Sequence, residues 1–162
     1  MRARIGIVGT GAIFGAYIRG LGWYGDLPVV RVADVDADRV RRQAEQFSIP
    51  AWGSAEDLYA DPGVDVVVNI TPPAAHAPVT SAALAAGKHV YVEKPVAASA
   101  ELARANVEQA AAAGLVLGAA PDTFLGTAGQ TARAAIDDGR AAGALDALIA
   151  VSNADPSSDP GA

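Results

Sequence analysis

The sequence predicts an α/β fold, a single domain built on a doubly wound, mainly parallel sheet with helices on both faces. Short apolar runs rich in β-branched residues alternate with alanine-rich runs of helical length over most of the chain, a pattern typical of strand–helix–strand units. The 162 residues are 51% hydrophobic and 19% charged. The chain is therefore long enough for one domain with a buried core and too apolar for a disordered protein.

The first two strands are predicted from apolar runs that end in a turn. Arg4–Val8 is the first strand, and the helix that follows extends over Ala12–Leu21. Val29–Ala33 is the second strand. Asp36 precedes the next helix, Ala37–Phe47, as an N-cap whose carboxylate can accept a hydrogen bond from a free amide of the first turn.

The clearest buried strand is Asp65–Ile70, because four of its six residues are β-branched. The helix His76–Ala86 follows and ends at Gly87, and Lys88–Val92 is the next strand. The remaining predicted elements are, in chain order, the short strand Ala51–Trp52, a short helix capped by Ser54, the helix Ser99–Ala113, the strand Leu115–Ala119, the helix Phe124–Asp138 and the strand Ala144–Val151.

Residues 1–151 are therefore predicted to form the domain, and residues 152–162 a flexible tail. The tail is rich in Ser, Asp, Pro and Gly and has no apolar periodicity. No apolar run in the sequence has the length of a membrane-spanning helix, so we expect no membrane partner.

The composition argues against several classes of site. The net charge of −6 disfavours a nucleic-acid partner, because contacts with the phosphate backbone need a basic surface. The chain has no Cys, which excludes disulfides, thiolate nucleophiles and cysteine zinc sites and leads us to expect a cytoplasmic location. Its two histidines, His76 and His89, are too far apart for a metal pair on one helix, and no metal site is predicted.

A glycine-rich turn joins the first strand to the first helix. Gly9 permits the tight turn, and Gly11 lets a pyrophosphate approach the backbone. The third glycine of the usual G-x-G-x-x-G pattern is replaced by Phe14, and Gly15 comes one place late. The alternative is a turn that needs glycine for its geometry alone. In the functional interpretation, the diphosphate is held by the main-chain amides of Gly9, Thr10, Gly11, Ala12 and Ile13.

Asp34 ends the second strand, where a carboxylate can accept hydrogen bonds from the ribose hydroxyls of a dinucleotide. Such a carboxylate repels a 2′-phosphate, so NAD is favoured over NADP. Asp36 is an alternative ribose ligand, and a solvated strand end is the alternative role for Asp34. Arg39, Arg41 and Arg42 leave NADP as the less favoured cofactor.

Two further motifs follow strands of the predicted sheet and therefore share its carboxyl edge with the glycine turn. In the first motif, Thr71 offers a hydroxyl after the strand Asp65–Ile70, and Pro72 and Pro73 stiffen the turn that leads to His76. The alternative is an ordinary strand-to-helix connection with a surface histidine.

The second motif is Glu93-Lys94-Pro95, which follows the strand Lys88–Val92. A lysine at this edge can donate a hydrogen bond to a substrate oxygen and stabilise the alkoxide that develops when an alcohol loses a hydride. The alternative is a surface ion pair between Glu93 and Lys94, which would contribute little to stability.

Together these motifs resemble the amino-terminal half of the glucose–fructose oxidoreductase/inositol dehydrogenase (Gfo/Idh/MocA) family. The resemblance extends from about Arg4 to Leu148, and the order of the motifs is more specific than any one of them. Residues 121–126 and 130–133 are similar to the linker of one subgroup. The matching motifs are Gly9-Thr10-Gly11-Ala12-Ile13, Asn69-Ile70-Thr71-Pro72-Pro73 with His76, Ala85-Ala86-Gly87-Lys88-His89-Val90, and Glu93-Lys94-Pro95.

The resemblance implies a Rossmann domain that binds NAD(H) or NADP(H) and substrates of the sugar or polyol class. It implies that Lys94 is the catalytic-site lysine. The residues that it assigns to the cofactor site beyond the glycine turn are Thr71, Pro72, Pro73, His76, Glu93 and Lys94.

Members of that family carry a second α+β domain that supplies most substrate contacts, and this sequence stops about where that domain would begin. We therefore expect a truncated product or a free-standing cofactor module, with weak or absent turnover by itself, because an open site does not exclude water. Exposure of a surface that the second domain normally covers would favour self-association. Three functions stay open: the dinucleotide domain of an oxidoreductase, a nucleotide-binding module without catalysis, and an interaction fragment that binds no ligand.

Overall fold

A six-stranded, all-parallel sheet organises the structure, a computed structural model that describes residues 2–23, 25, 27–120 and 127–138. β1 and β4 lie side by side although two strands separate them in sequence, so the strand order reverses at this pair. This arrangement confirms the predicted doubly wound α/β fold. From one edge to the other, the strands are β3 (Ala51–Gly53), β2 (Val29–Ala33), β1 (Ile5–Val8), β4 (Val66–Asn69), β5 (His89–Val92) and β6 (Leu117–Ala119).

Helices cover both faces of the sheet because successive strand residues point to opposite sides. The helices that connect the strands are α1 (Phe14–Gly22), α2 (Ala37–Gln46), α3 (Ala55–Ala60), α4 (Pro73–Ala85) and α5 (Ala100–Ala112). One buried cluster joins the sheet to α1 and α2 through Ile7, Val32, Val68, Phe14 and Val40. The other joins the opposite face to α3, α4 and α5 through Val8, Val67, Val90, Leu58, Leu84 and Ala110.

Three predicted element boundaries differ from the structure by two residues or more. The first helix begins at Phe14 rather than Ala12, because the residues before it form the glycine turn. α4 begins at Pro73 rather than His76, since a proline in the first helical position has a favourable φ and needs no amide donor. The last strand begins at Leu117 rather than Leu115, because the amide of Leu115 donates to the carbonyl oxygen of Ala110 at the end of α5.

The chain divides into two compact units, residues 1–120 and residues 121–162. In the second unit the structure describes one helix, α6 (Thr127–Asp137), in which Arg133 and Asp137 form an ion pair at 2.7 Å. The start of the helix predicted at Phe124, the strand predicted at Ala144–Val151 and the tail at Ser152–Ala162 lie outside the described residues. No helix in the described part of the chain has the length and apolar character needed to cross a membrane.

Candidate functional site

The β1–α1 and β4–α4 turns meet at the carboxyl edge of the sheet, where the strand order reverses. Gly9 has a φ of +102°, a conformation that glycine adopts without strain. A Cβ on Gly9 would lie 2.8 Å from the carbonyl oxygen of Ile70 and 3.0 Å from the amide nitrogen of Thr71. The close approach of the two turns therefore requires Gly9. In open parallel sheets, ligands bind in the crevice at such a reversal.

Gly11 has no such packing role, because a Cβ built on it would meet no protein atom within 4 Å. The amides of Gly11, Ala12 and Ile13 have no hydrogen-bond acceptor in the described part of the chain. The amide of Phe14 donates to the carbonyl oxygen of Gly11 at 3.1 Å. Three successive free N–H groups beside an open backbone position thus form a cradle for an anion at the start of α1.

Phe14, which replaces the third glycine of the motif, leaves the cradle open. Its side chain is fully buried and packs edge to face against Phe47, with ring centroids 5.7 Å apart. The ring belongs to the apolar cluster beneath α1 and α2 and does not line the crevice. The core therefore accommodates the phenylalanine without cost to the cradle.

The Asp34 carboxylate binds back to the glycine turn and is not a solvated strand end. Its Oδ2 accepts from the amide and the hydroxyl of Thr10 at 2.6 and 2.7 Å, and its Oδ1 accepts from the amide of Asp36 at 3.0 Å. Burial of this side chain raises its pKa, but hydrogen bonds from Arg39, Asp36 and Thr10 outweigh burial and lower the pKa to about 2. Asp34 is therefore a carboxylate that orders the turn.

Arg39 connects the two aspartates that follow β2. Its Nη2 lies 2.6 Å from Oδ1 of Asp34, and its Nη1 lies 3.2 Å from Oδ2 of Asp36. The Asp36 side chain also accepts from the Arg39 amide at 2.9 Å, which confirms Asp36 as the N-cap of α2. Arg41 instead pairs with Glu45 on the exposed surface of α2. Two carboxylates and one guanidinium thus leave a net negative charge at the end of β2.

A cavity of about 1060 Å³ runs along the carboxyl edge, at the upper end of the size range of small-molecule sites. Trp52, in β3, is 44% exposed and lines this cavity. An adjoining groove of about 540 Å³ shares Gly11 and Arg39 and is bordered by Arg19. The predicted site residues that line the large cavity are Gly9, Gly11, Ala12, Ile13, Asp34, Thr71 and Pro72.

The turn after β4 is fixed by buried Asn69. Its Oδ1 accepts from the hydroxyl of Thr71 at 2.7 Å, and its Nδ2 donates to the carbonyl oxygen of His76 at 2.9 Å and to Oγ1 of Thr80 at 3.1 Å. His76 is 1% exposed, so the alternative of a surface histidine is wrong. Its ring nitrogens lie 2.6 Å from the carbonyl oxygen of Pro95 and 2.7 Å from that of Thr71.

The Glu93-Lys94-Pro95 segment contacts α1 in addition to His76 of α4. The hydroxyl of Tyr17 donates to Oε1 of Glu93 at 2.8 Å, and Oε2 of Glu93 accepts from the amide of Lys94 at 2.8 Å. The alternative of an ion pair between the two side chains is therefore wrong. Within the described part of the chain, the exposed Lys94 ammonium has no hydrogen-bond or ion-pair partner.

Five predicted site residues lie outside the lining of the large cavity. Thr10 faces Asp34 and the adjoining groove, and Pro73 is the first residue of α4. The other three belong to the hydrogen-bonded segments after β4 and β5 and are His76, Glu93 and Lys94. Two contributors were not predicted. Trp52 could have been identified as the last residue of the strand predicted at Ala51–Trp52, whereas nothing local to α1 indicates that Tyr17 reaches Glu93.

Comparisons with known proteins agree with this geometry. A sequence model of the Gfo/Idh/MocA oxidoreductase family, described as an NAD-binding Rossmann fold, matches residues 3–120. Inositol 2-dehydrogenase 1 from Saccharopolyspora erythraea is 39% identical over 103 residues, which are 62% of this chain and 31% of that protein. The chain spans about a third of the length of the curated relatives it matches.

Solved structures share the fold of the chain. The WlbA dehydrogenase from Bordetella pertussis, in complex with NADH and UDP-GlcNAcA, superposes with a TM-score of 0.79 at 26% identity, over 86% of this chain and 44% of that one. A 3-ketoreductase from Actinomadura kijaniata, in complex with TDP-benzene and NADP, superposes with a TM-score of 0.76 at 27% identity, over 86% and 43%. With the sheet reversal, the glycine turn and the family match in agreement, the chain belongs to the Gfo/Idh/MocA oxidoreductase family and contains its NAD-binding Rossmann domain.

Proposed function

We propose that this domain binds NAD(H) in the crevice at the carboxyl edge, with the pyrophosphate on the amides of Gly11, Ala12 and Ile13. The observation that carries the proposal is the open space at the Cβ position of Gly11, beside N–H groups that have no acceptor in the described residues. A turn that needed glycine for geometry alone would need Gly9 only. A pyrophosphate needs both the space and the donors.

The residues at the end of β2 support NAD as the cofactor, with NADP less favoured. Asp34 and Asp36 place two carboxylates beside the single guanidinium of Arg39, and a 2′-phosphate would be repelled by the excess negative charge. Thr10 holds Asp34 in place through both its amide and its hydroxyl. NADP would require Arg39 to leave the aspartates and to turn towards the groove that it shares with Arg19.

Lys94 is the catalytic residue of the proposal, and an alcohol or ketone of the sugar or polyol class is the proposed substrate. When bound, the nicotinamide supplies the hydride acceptor or donor. The Lys94 ammonium is exposed and has no partner in the described residues, so it is available to donate to the substrate oxygen and to stabilise a developing alkoxide. The names of the relatives, an inositol dehydrogenase and a dehydrogenase in complex with UDP-GlcNAcA, support this substrate class.

A titration with NADH tests the binding step. Trp52 lines the cavity, whereas Trp23 is 87% exposed at the end of α1 and does not, so bound NADH should quench Trp52 emission by energy transfer. Trp23→Phe should keep the quenching and Trp52→Phe should lose most of it. NADH at a hundred times its Kd should also stabilise the fold by about 2.7 kcal/mol. No quenching and no thermal stabilisation would overturn the proposal and favour the interaction fragment.

The Asp34→Ala variant tests the choice of cofactor. Loss of the carboxylate removes the ribose acceptor and frees Arg39 for a 2′-phosphate, so NAD affinity should fall more than NADP affinity. Equal losses would contradict the role given to Asp34. A screen of sugars and polyols with bound NAD then tests for catalysis. Turnover that Lys94→Ala abolishes would identify an oxidoreductase, whereas a module that binds the dinucleotide without catalysis would show no turnover with either protein.

A further inference from the structure

The two histidines of the chain face opposite kinds of hydrogen-bonding group. Nδ1 of His89 lies 3.0 Å from the amide nitrogen of Val116, which can only donate. That nitrogen of His89 must therefore be unprotonated, as in a neutral ring. Both ring nitrogens of His76 face backbone carbonyl oxygens, which can only accept.

A neutral imidazole has one N–H donor and one lone pair, so it satisfies only one of the two carbonyl groups beside His76. In that state the lone pair of the other nitrogen would face the oxygen of Pro95 at 2.6 Å or that of Thr71 at 2.7 Å. Two lone pairs at such a distance repel each other, and the side chain is 1% exposed, so it is shielded from bulk water. A doubly protonated ring would donate to both oxygens, and charge-assisted hydrogen bonds of this kind are short and strong. They would oppose the cost of burying the charge.

The two carbonyl groups belong to different parts of the site. Thr71 lies in the β4–α4 turn, which lines the large cavity, and Pro95 follows Lys94 directly. The other side of this segment is held by Tyr17 through the Glu93 carboxylate, which also accepts from the Lys94 amide. Hydrogen bonds on both sides thus hold the backbone of Lys94 in place, through His76 on Pro95 and through Glu93 on the Lys94 amide. The Lys94 ammonium has no partner in the described residues.

We propose that His76 is a positioning residue, a doubly protonated imidazolium whose hydrogen bonds link the Lys94-Pro95 backbone to the β4–α4 turn at Thr71. The ring does not line the large cavity, so it acts on the substrate only through Lys94. The importance of the proposal for catalysis rests on the proposed function, in which Lys94 contacts the substrate. The protonation state and the fastening of the loop do not depend on it.

The first test is an NMR measurement on the chain labelled with 15N in histidine, which contains two histidine rings. Correlations between the ring carbon-bound protons and the ring nitrogens distinguish an imidazolium from either neutral tautomer. At neutral pH, His89 should show one protonated and one unprotonated nitrogen, and His76 should show two protonated nitrogens. A His89→Gln variant assigns the signals. An unprotonated nitrogen in His76 would overturn the proposal, and this reading needs neither cofactor nor turnover.

The second test follows Lys94 itself. The chain has two lysines, and the ammonium of Lys88 is buried against the carbonyl oxygens of Asp61 and Val64. Reductive 13C-methylation should therefore label Lys94 and the amino terminus, and the Lys94→Arg variant assigns the Lys94 signal. His76→Phe should shift or broaden the Lys94 methyl signal, His76→Gln, whose amide can donate, should restore it in part, and His89→Phe should leave it unchanged. An unchanged Lys94 signal in folded His76→Phe protein would refute the positioning role, whether or not NADH binds.

Discussion

Gly9 and Gly11 offer a matched pair of substitutions with opposite expected effects. Alanine at Gly9 must adopt a φ of +102° and would place its Cβ 2.8 Å from the carbonyl oxygen of Ile70. Backbone strain of this kind costs about 1–3 kcal/mol, and the clash with backbone atoms adds to it. For a chain of this length, about 2 kcal/mol corresponds to a fall in Tm of roughly 4–8 °C.

At Gly11 a Cβ would meet no protein atom within 4 Å. Gly11→Ala and Gly11→Val should therefore keep the Tm of the parent, or raise it slightly, because the unfolded chain loses conformational freedom. The same side chain would occupy the space proposed for the pyrophosphate. We expect the Kd for NADH to rise at least tenfold in Gly11→Val, which is a loss of about 1.4 kcal/mol.

Thermal unfolding and calorimetric titration with NADH, on the same preparations, decide between these outcomes. The reasoning is refuted if folded Gly11→Val binds NADH as tightly as the parent, because the open Cβ position would then have no connection with the ligand. A large loss of Tm in Gly11→Val would also refute it, since the position would then serve packing. Gly9→Ala is the control that shows what a packing role looks like.

Three further predictions concern Asp34, Lys94 and Tyr17. Because the pKa of Asp34 is lowered from 3.8 to about 2, its stabilising contribution is present above about pH 4 and is lost as the pH falls towards 2. The shift corresponds to about 2 kcal/mol before solvent screening, so Asp34→Asn should flatten the pH dependence of denaturant unfolding below pH 4, and an unchanged slope would contradict the assignment. Bound NADH should slow acylation of the Lys94 ammonium several-fold, as measured by mass spectrometry, and equal rates with and without NADH would place Lys94 away from the cofactor. Tyr17→Phe removes the donor to Glu93 and should leave NADH affinity within about twofold while lowering any turnover with the complete substrate site; a tenfold loss of NADH affinity would instead give Tyr17 a direct part in binding the cofactor.

Local sequence patterns were sufficient to predict most strands, helices and turns, because each of these elements depends mainly on residues that are adjacent in sequence. The β-branched run at Val66–Asn69 forms a buried strand, Asp36 caps α2, and the glycine turn follows β1 as predicted. The errors fall where a residue had two suitable roles. Pro73 was expected to stiffen the turn before His76, yet a proline is equally compatible with the first position of a helix, where it lies in the structure.

By itself, the sequence determined the alternation of strands and helices, the family to which the chain belongs and the identity of the turns that carry the site. Tertiary structure alone decided which of these turns touch. Gly9 is confined by Ile70, Tyr17 reaches Glu93 across 76 residues of sequence, and His76 bonds to Pro95 across 19. These contacts depend on β4 lying beside β1 and β5 beside β4, and strand order is set by packing over the whole sheet, which no local propensity encodes.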